Sequence, residues 1–328
     1  MSKKRFFVAI LAALATMVLM SGMAFAEYPT KPVTLVAPYG PGGASDLAAR
    51  ALAAVAPNYV KEPVVVINRT GAGGVVGSTY VARSAPDGYT LLLSRVGCNG
   101  VAPAINMKTP YTWDGFTFLG LLELNPVVYV VQSTSPFKSL KEVVAAIKKS
   151  PGKYSYSTSG PTTILNMGFQ KLLADANLPS TAVKMVPYKG GGGAKTALLG
   201  GHVDFLCINL ATVIDQIQAG KLRALAVTTP ERFPMISDVP TVKEAGFPDL
   251  EVIIGWSGLW GPPKLSEEVV NVWTAALQNV AKDKTWLKMT NSLGSVPYIK
   301  SPAETKAFVE KQFKVYRELG QKLGLIIK

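Results

Sequence analysis

"APYGPGGASDLAARALA", residues Ala37–Ala53, decides how the rest of the chain is read. An apolar run, "PVTLVA" (Pro32–Ala37), leads into it and an alanine-rich helical run leads out. Between them lie two prolines and three glycines, with no group suited to catalysis. A helix start carries unsatisfied N–H groups and a partial positive charge, which together favour an anion. Glycine lets a ligand approach the backbone, and proline limits how far the loop wanders. The residues alone leave a plainer alternative open: Ser45 or Asp46 caps the helix, which is worth about 1 kcal/mol.

The same strand, loop and helix pattern recurs along the chain. "PVVVIN" precedes a helical run at Val75–Arg83, and "YTLLLS" occupies Tyr89–Ser94. "PVVYVVQ" (Pro126–Gln132) precedes Leu140–Lys149, and "KYSYS" (Lys153–Ser157) precedes Thr162–Ala174. "AVKMVPY" precedes Lys195–Leu199, "VDFLCIN" precedes Ala211–Ala219, and "LRALAVT" follows. This alternation predicts an α/β protein with parallel sheets covered by helices on both faces. Right-handed crossovers then bring the strand-to-helix loops to one edge, where open α/β sheets bind ligands. From Ser266 onward the tail reads as mostly helix. Five loops along that edge are glycine-rich or small: "PYGPGGASD", "NRTGAGGVVG", "SRVGCNG", "TSGPTT" and "KGGGG". Capping explains any one of them, but five together point to an anion the size of a carboxylate or phosphate.

Composition narrows the classes. Lys3-Lys4-Arg5, an apolar run from Phe6 to Met20, and the small-residue end Ala24-Phe25-Ala26 form a secretory signal, with the cut expected after Ala26. Removal of residues 1–26 leaves 302 of 328 residues. The formal charge of +13 falls to +10 when the three basic signal residues leave. That balance favours anionic partners, yet no basic run is interleaved with aromatics, so nucleic acid is not expected. Cys98 and Cys207 are far apart in sequence and are expected to be buried, unpaired thiols.

Nucleotide and catalytic signatures fail on inspection. "GAGGVVG" (Gly71–Gly77) is one residue too long for the dinucleotide fingerprint, and "GGGGAKT" has Ala194 where a P-loop needs glycine. His202 is the only histidine and has no visible partner, and there is no G-x-S-x-G. One histidine and two separated cysteines make no metal set. Neither an enzyme nor a cofactor is expected.

Over nearly all of the mature chain the sequence resembles the periplasmic solute-binding proteins of tripartite tricarboxylate transporters, the Bug-type receptors. The likeness rests on "YPTKPVTLVAPYGPGGASDLAARALA", "VVVINRTGAGGVVGSTYVARSAPDGYTLLL", "SPGKYSYSTSG", "VPYKGGGGAKTALLGGHVDF", "AGKLRALAVTTPERFPMISDVPTVKEAGFPDL" and "SPAETKAFVEKQFKVYRELGQKLGL". It implies the type II periplasmic-binding fold, two α/β lobes with the ligand between them. Lobe one would comprise residues 27–125 plus 250–328 and lobe two residues 126–249. The resemblance also implies that one ligand carboxylate is held at the PGGxxD motif, here Tyr39, Pro41, Gly42, Gly43 and Asp46, partly through water. The far end of the ligand would meet Ser159, Gly160, Thr162 and Thr163.

Departures from the family pattern bear on specificity. Pro161 stiffens the lobe-two loop, and Asn166 stands where histidine is common. Ile208, beside Cys207 and Asn209, replaces an aspartate, which disfavours an amino-bearing ligand. "SRVGCNG" places Arg95 and Cys98 where small hydroxyl residues are usual; Arg95 either pairs with a second carboxylate or points to solvent. The expected function is capture of an organic carboxylate in the periplasm by a monomer. Delivery to a permease of one large and one small subunit would follow, with a signalling accessory or an exported hydrolase as alternatives.

Overall fold

Short strands, the central ones apolar and buried, assemble into two sheets in the computed structural model, which describes residues 28–328. The expected cut after Ala26 lies outside the described residues. The first part of the chain supplies β1 (Val33–Ala37), α1 (Ala44–Val55), β2 (Val64–Asn68), α2 (Val75–Ala82), β3 (Thr90–Arg95) and β4 (Thr117–Asn125). Then come β5 (Val127–Gln132), α3 (Leu140–Lys149), β6 (Ser155–Thr158), α4 (Ile164–Asp175), β7 (Lys184–Pro187), α5 (Gly191–Leu199), β8 (Phe205–Asn209) and β9 (Leu222–Val227). The chain closes with β10 (Gly255–Gly261), α6 (Glu267–Val280), α7 (Lys284–Ser292), β11 (Val296–Lys300) and α8 (Pro302–Lys322). Helices shorter than eight residues are left unlabelled.

One sheet has the order β11-β4-β10-β3-β1-β2 and the other β7-β6-β8-β5-β9. Each is the centre of one lobe. β1 runs parallel to β2 and β3, and β6 parallel to β7 and β8, as the alternating pattern predicts. The sheets are nevertheless mixed, which corrects the wholly parallel expectation. β10 is antiparallel to β3 and β4, β11 to β4, and β5 to β8 and β9.

The crossings between lobes explain most of this. Strands that feed helices end at the cleft, but a strand that has just crossed begins there. β4 ends at Asn125 in the first sheet and β5 begins at Val127 in the second, so Val127 pairs with Asn209 at the end of β8. On the return crossing, β10 begins opposite Asn125 and sets Ser257 against Arg95.

Helix starts differ from the expected ones in one informative place. The sequence predicts a loop over the four-glycine run with helix from Lys195, yet Gly191–Gly193 form the first turn of α5. Glycine disfavours helix by about 1 kcal/mol per residue. Here close packing of backbone on backbone across the cleft overrides that preference, as described below. The run expected as one helix at Ala211–Ala219 is a 3-10 turn, Leu210–Thr212, followed by the short helix Ile214–Gln218.

The core is aromatic beneath the first sheet, where Trp256, Trp260, Trp273 and Trp286 are buried, and largely aliphatic in the second. No helix among the described residues is long and apolar enough to cross a membrane.

Candidate functional site

Three helices end their first turns at one small cavity between the lobes. Gly43, Ala44 and Ser45 at the start of α1 line it from lobe one. Thr163, Ile164 and Leu165 at the start of α4, with Gly191 at the start of α5, line it from lobe two. None of these three helices has a side-chain cap. Four of the helices that begin elsewhere are capped, α3 by Ser139, α6 by Ser266, α7 by Asp283, and α8 by a Ser301–Glu304 capping box, whereas α2 starts uncapped at Gly74. Apart from the Ala44 N–H, which Thr212 Oγ1 accepts at 3.1 Å, uncapped helix starts with a net positive field therefore face the cavity from both sides. Capping, the plain alternative raised by the sequence, does not operate at α1.

Asp46 has a different duty. Its carboxylate accepts hydrogen bonds from the Gly42 N–H (3.0 Å), Arg50 Nε (3.1 Å) and Asn68 Nδ2 (3.0 Å). Burial pushes the Asp46 carboxyl up, but Arg50, the Gly42 amide and Asn68 outweigh it and hold it below its ordinary value. The carboxylate is saturated by protein and sets the loop's shape behind the cleft. Gly42, with φ of +69°, occupies a left-handed turn that only glycine adopts without strain.

Arg95 is 3 % exposed, so it does not point to solvent. Its Nη2 crosses the cleft and donates to Asn209 Oδ1 at 3.2 Å, while Nη1 lies 3.6 Å from Glu123 Oε1. Glu123 is fixed in turn by Ser257 Oγ (2.7 Å) and Asn125 Nδ2 (3.1 Å). Burial lowers the guanidinium's proton affinity, and Glu123 works against that fall. Because a guanidinium only donates, Asn209 must turn its oxygen toward Arg95. Tyr39 is also buried, and burial pushes its phenol well above the ordinary value, so it is a neutral hydroxyl.

Of the residues singled out from sequence, Tyr39, Gly43, Arg95, Ser159, Thr163 and Asn209 line the cavity. Pro41, Gly42, Asp46, Cys98, Gly160, Thr162 and Asn166 do not. Pro41 places its carbonyl against Gly192, and a side chain on Gly73 would meet Thr162 Oγ1 at 3.1 Å. Gly160 lies in an outer groove with Gly73 and Lys189, and its carbonyl accepts from Thr163 Oγ1 at 2.8 Å. Cys98 is buried, with its thiol on Asn99 Oδ1 at 3.0 Å. Asn166 is consumed internally: Oδ1 accepts from the Tyr156 hydroxyl at 2.6 Å and Nδ2 donates to the Pro161 carbonyl at 2.8 Å. It lines a separate pocket with Gln170.

Several participants were not singled out. Ser45 was weighed only as a cap, Glu123 sits in a strand that the sequence pattern did not reveal, and Thr212 accepts the Ala44 N–H at 3.1 Å across the cleft. Three buried polar atoms without a hydrogen-bond partner belong to residues of this one cavity: Ser45 Oγ, Arg95 Nη1 and Asn209 Nδ2. Each can donate. An acceptor with several lone pairs, such as a carboxylate, completes such a set.

The sequence model of the tripartite tricarboxylate transporter family receptor matches residues 48–325. The chain belongs to that family. It is 34% identical over 320 residues to a UPF0065 protein from the TAR-I ttuE-ttuC' intergenic region of Agrobacterium vitis, covering 95% of this chain and 91% of that one. Among solved structures, the periplasmic binding protein BugD superposes with a TM-score of 0.87 at 32% identity, over 92% of this chain and 100% of its own. MatC of Rhodopseudomonas palustris, with bound malate, gives a TM-score of 0.85 at 28% identity, over 89% and 99%. R. palustris Rpa4515, with adipate, gives 0.85 at 26%, over 90% and 98%. The fold is thus the two-lobe periplasmic-binding fold, and the protein is a periplasmic-type solute-binding receptor, not an enzyme.

Proposed function

We propose that this receptor captures an organic carboxylate between its lobes and delivers it to a membrane permease of one large and one small subunit. The lobes would divide as residues 27–125 plus 250–328 and residues 126–249. The protein would act as a periplasmic monomer after cleavage behind Ala26. One observation carries the reading: unpaired buried donors on Ser45, Arg95 and Asn209 surround a cavity faced by three uncapped helix starts. The malate and adipate held by structural neighbours agree with it. Tyr39, Gly43, Ser159 and Thr163 would complete the ligand's surroundings. A ligand that touches both lobes binds the closed form better and shifts the population toward it.

Thermal unfolding of the mature protein against mono-, di- and tricarboxylates tests this. Ligand at one hundred times its dissociation constant adds about 2.7 kcal/mol, a shift on the order of 5 °C for a chain of this size. One acid that gives such a shift and is recovered unchanged supports the receptor reading. No shift with any carboxylate defeats it. Co-purification of the ligand-loaded receptor with the two permease subunits checks the delivery step.

A further inference from the structure

We infer that the cleft selects a short acid bearing a single carboxylate, and that Glu123 is the residue that sets this charge limit. The inference rests on the carboxylate reading above and narrows it.

Charge is the first ground. Among the described residues, Arg95 is the one charged side chain lining the cavity. Glu123 stands 3.6 Å from Arg95 Nη1, each side chain is only 4 % exposed, and the pair is neutral as a unit. Asp46 and Arg50 are engaged with one another at 3.0 Å. What remains for an anion is the partial charge of three helix starts, the unpaired donors of Ser45 and Asn209, and an Arg95 Nη1 that has no hydrogen bond but faces Glu123. That set matches one carboxylate. A second would be stripped of water with no free cation to meet it and with the Glu123 charge close behind Arg95.

Size is the second. The cavity measures about 30 Å³ as the lobes stand here, so even a short acid must part them somewhat and a longer one must part them further. The Arg95 side chain spans the cleft and donates to Asn209 Oδ1 at 3.2 Å, a bond that a ligand reaching past it would have to break. Ile164, Leu165 and Ile208 form an apolar wall suited to a short alkyl tail.

Calorimetric titration with butyrate, pyruvate, succinate and adipate tests both grounds. The wild-type protein is expected to bind butyrate or pyruvate at least tenfold more tightly than succinate or adipate. Glu123→Gln keeps an acceptor oxygen for Ser257 and Asn125 while removing the negative charge behind Arg95. It is expected to move the succinate-to-butyrate affinity ratio about tenfold toward succinate. Glu123→Asp keeps the charge and is expected to keep the wild-type preference. Wild-type binding of succinate or adipate as tight as that of the monoacids overturns the inference. So does an unchanged ratio in Glu123→Gln, or an equal change in both variants, which would assign the preference to shape. These results leave the carboxylate reading standing. Absence of binding by every acid defeats that reading, and this inference with it.

Discussion

Ser45 and Asp46 are adjacent in sequence and divide the work of the opening loop. The serine hydroxyl is left free at the cavity, whereas the aspartate is committed to Gly42, Arg50 and Asn68. Asp46→Asn should therefore lower stability by about 1–2 kcal/mol at pH 7, because one charge-assisted acceptor replaced by an amide leaves donors facing a donor. The pH dependence has a definite sign. A carboxyl held below its ordinary value of 3.8 contributes fully above that pH, and the contribution is lost as pH falls through the lower folded value. Urea unfolding at pH 7 and at pH 3 or below should show the gap between wild type and Asp46→Asn narrowing at the acid end. A gap of equal size at both pH values would mean that the charge is not what anchors the loop. Sequence placed Asp46 in the motif correctly but could not say which way it faced, since a carboxylate at a helix start serves equally as cap, clamp or ligand.

At the scale of elements, the glycine-rich loops were legible and their partners were not. The runs at Tyr39–Gly43 and Gly190–Gly193 read as places for ligand to approach backbone, but much of the close approach is between the two loops themselves. Gly40 N–H donates to the Lys189 carbonyl at 3.2 Å, and a side chain at Gly190 would meet Gly40 N at 2.8 Å. A side chain at Gly192 would strike the Pro41 carbonyl, a backbone atom with little freedom to yield. Gly192→Ala is thus expected to hold the lobes apart and weaken ligand binding about tenfold, or about 1.4 kcal/mol, with the ligand-free protein no less stable. Gly193→Ala, whose methyl would meet only its neighbour Tyr188 at 3.4 Å, should bind as wild type does. Calorimetry on the pair decides it, and wild-type affinity in Gly192→Ala would remove closure from this glycine's duties. The strand-and-helix alternation was readable because α/β units repeat locally. β4 and β10 escaped because they are almost wholly buried, show no polar alternation, and pair across more than 100 residues of chain. With them went Glu123 and Ser257, the residues that stand behind Arg95.

The whole molecule is two lobes joined where β4 passes into β5 and where the chain returns to β10, and in this structure hydrogen bonds cross the cleft between them. Arg95 to Asn209, Ala44 to Thr212 and Gly40 to Lys189 all bridge the cleft. If ligand enters by the parting of the lobes, as proposed above, these contacts must break while each lobe moves as a unit without loosening inside. The two cysteines report on that requirement. Cys98 lies behind the cleft wall in lobe one, where a side chain on Gly74 would meet its Cβ at 2.9 Å. Cys207 lies on β8 in lobe two, where a side chain on Gly168 would meet its sulfur at 2.7 Å. Both are free and buried, and burial raises both thiols, that of Cys207 to about 12. The reactive thiolate is therefore scarce as well as shielded. A thiol reagent at pH 8 should leave the native protein unlabelled over minutes, with or without ligand, and should label both cysteines once denaturant unfolds it. Ligand affinity should be the same with and without reductant, since thiols in separate lobes have no bridge to lose. Rapid labelling of Cys98 alone on removal of ligand would mean that opening disrupts the interior of lobe one, and the hinge would then no longer be a motion of rigid lobes.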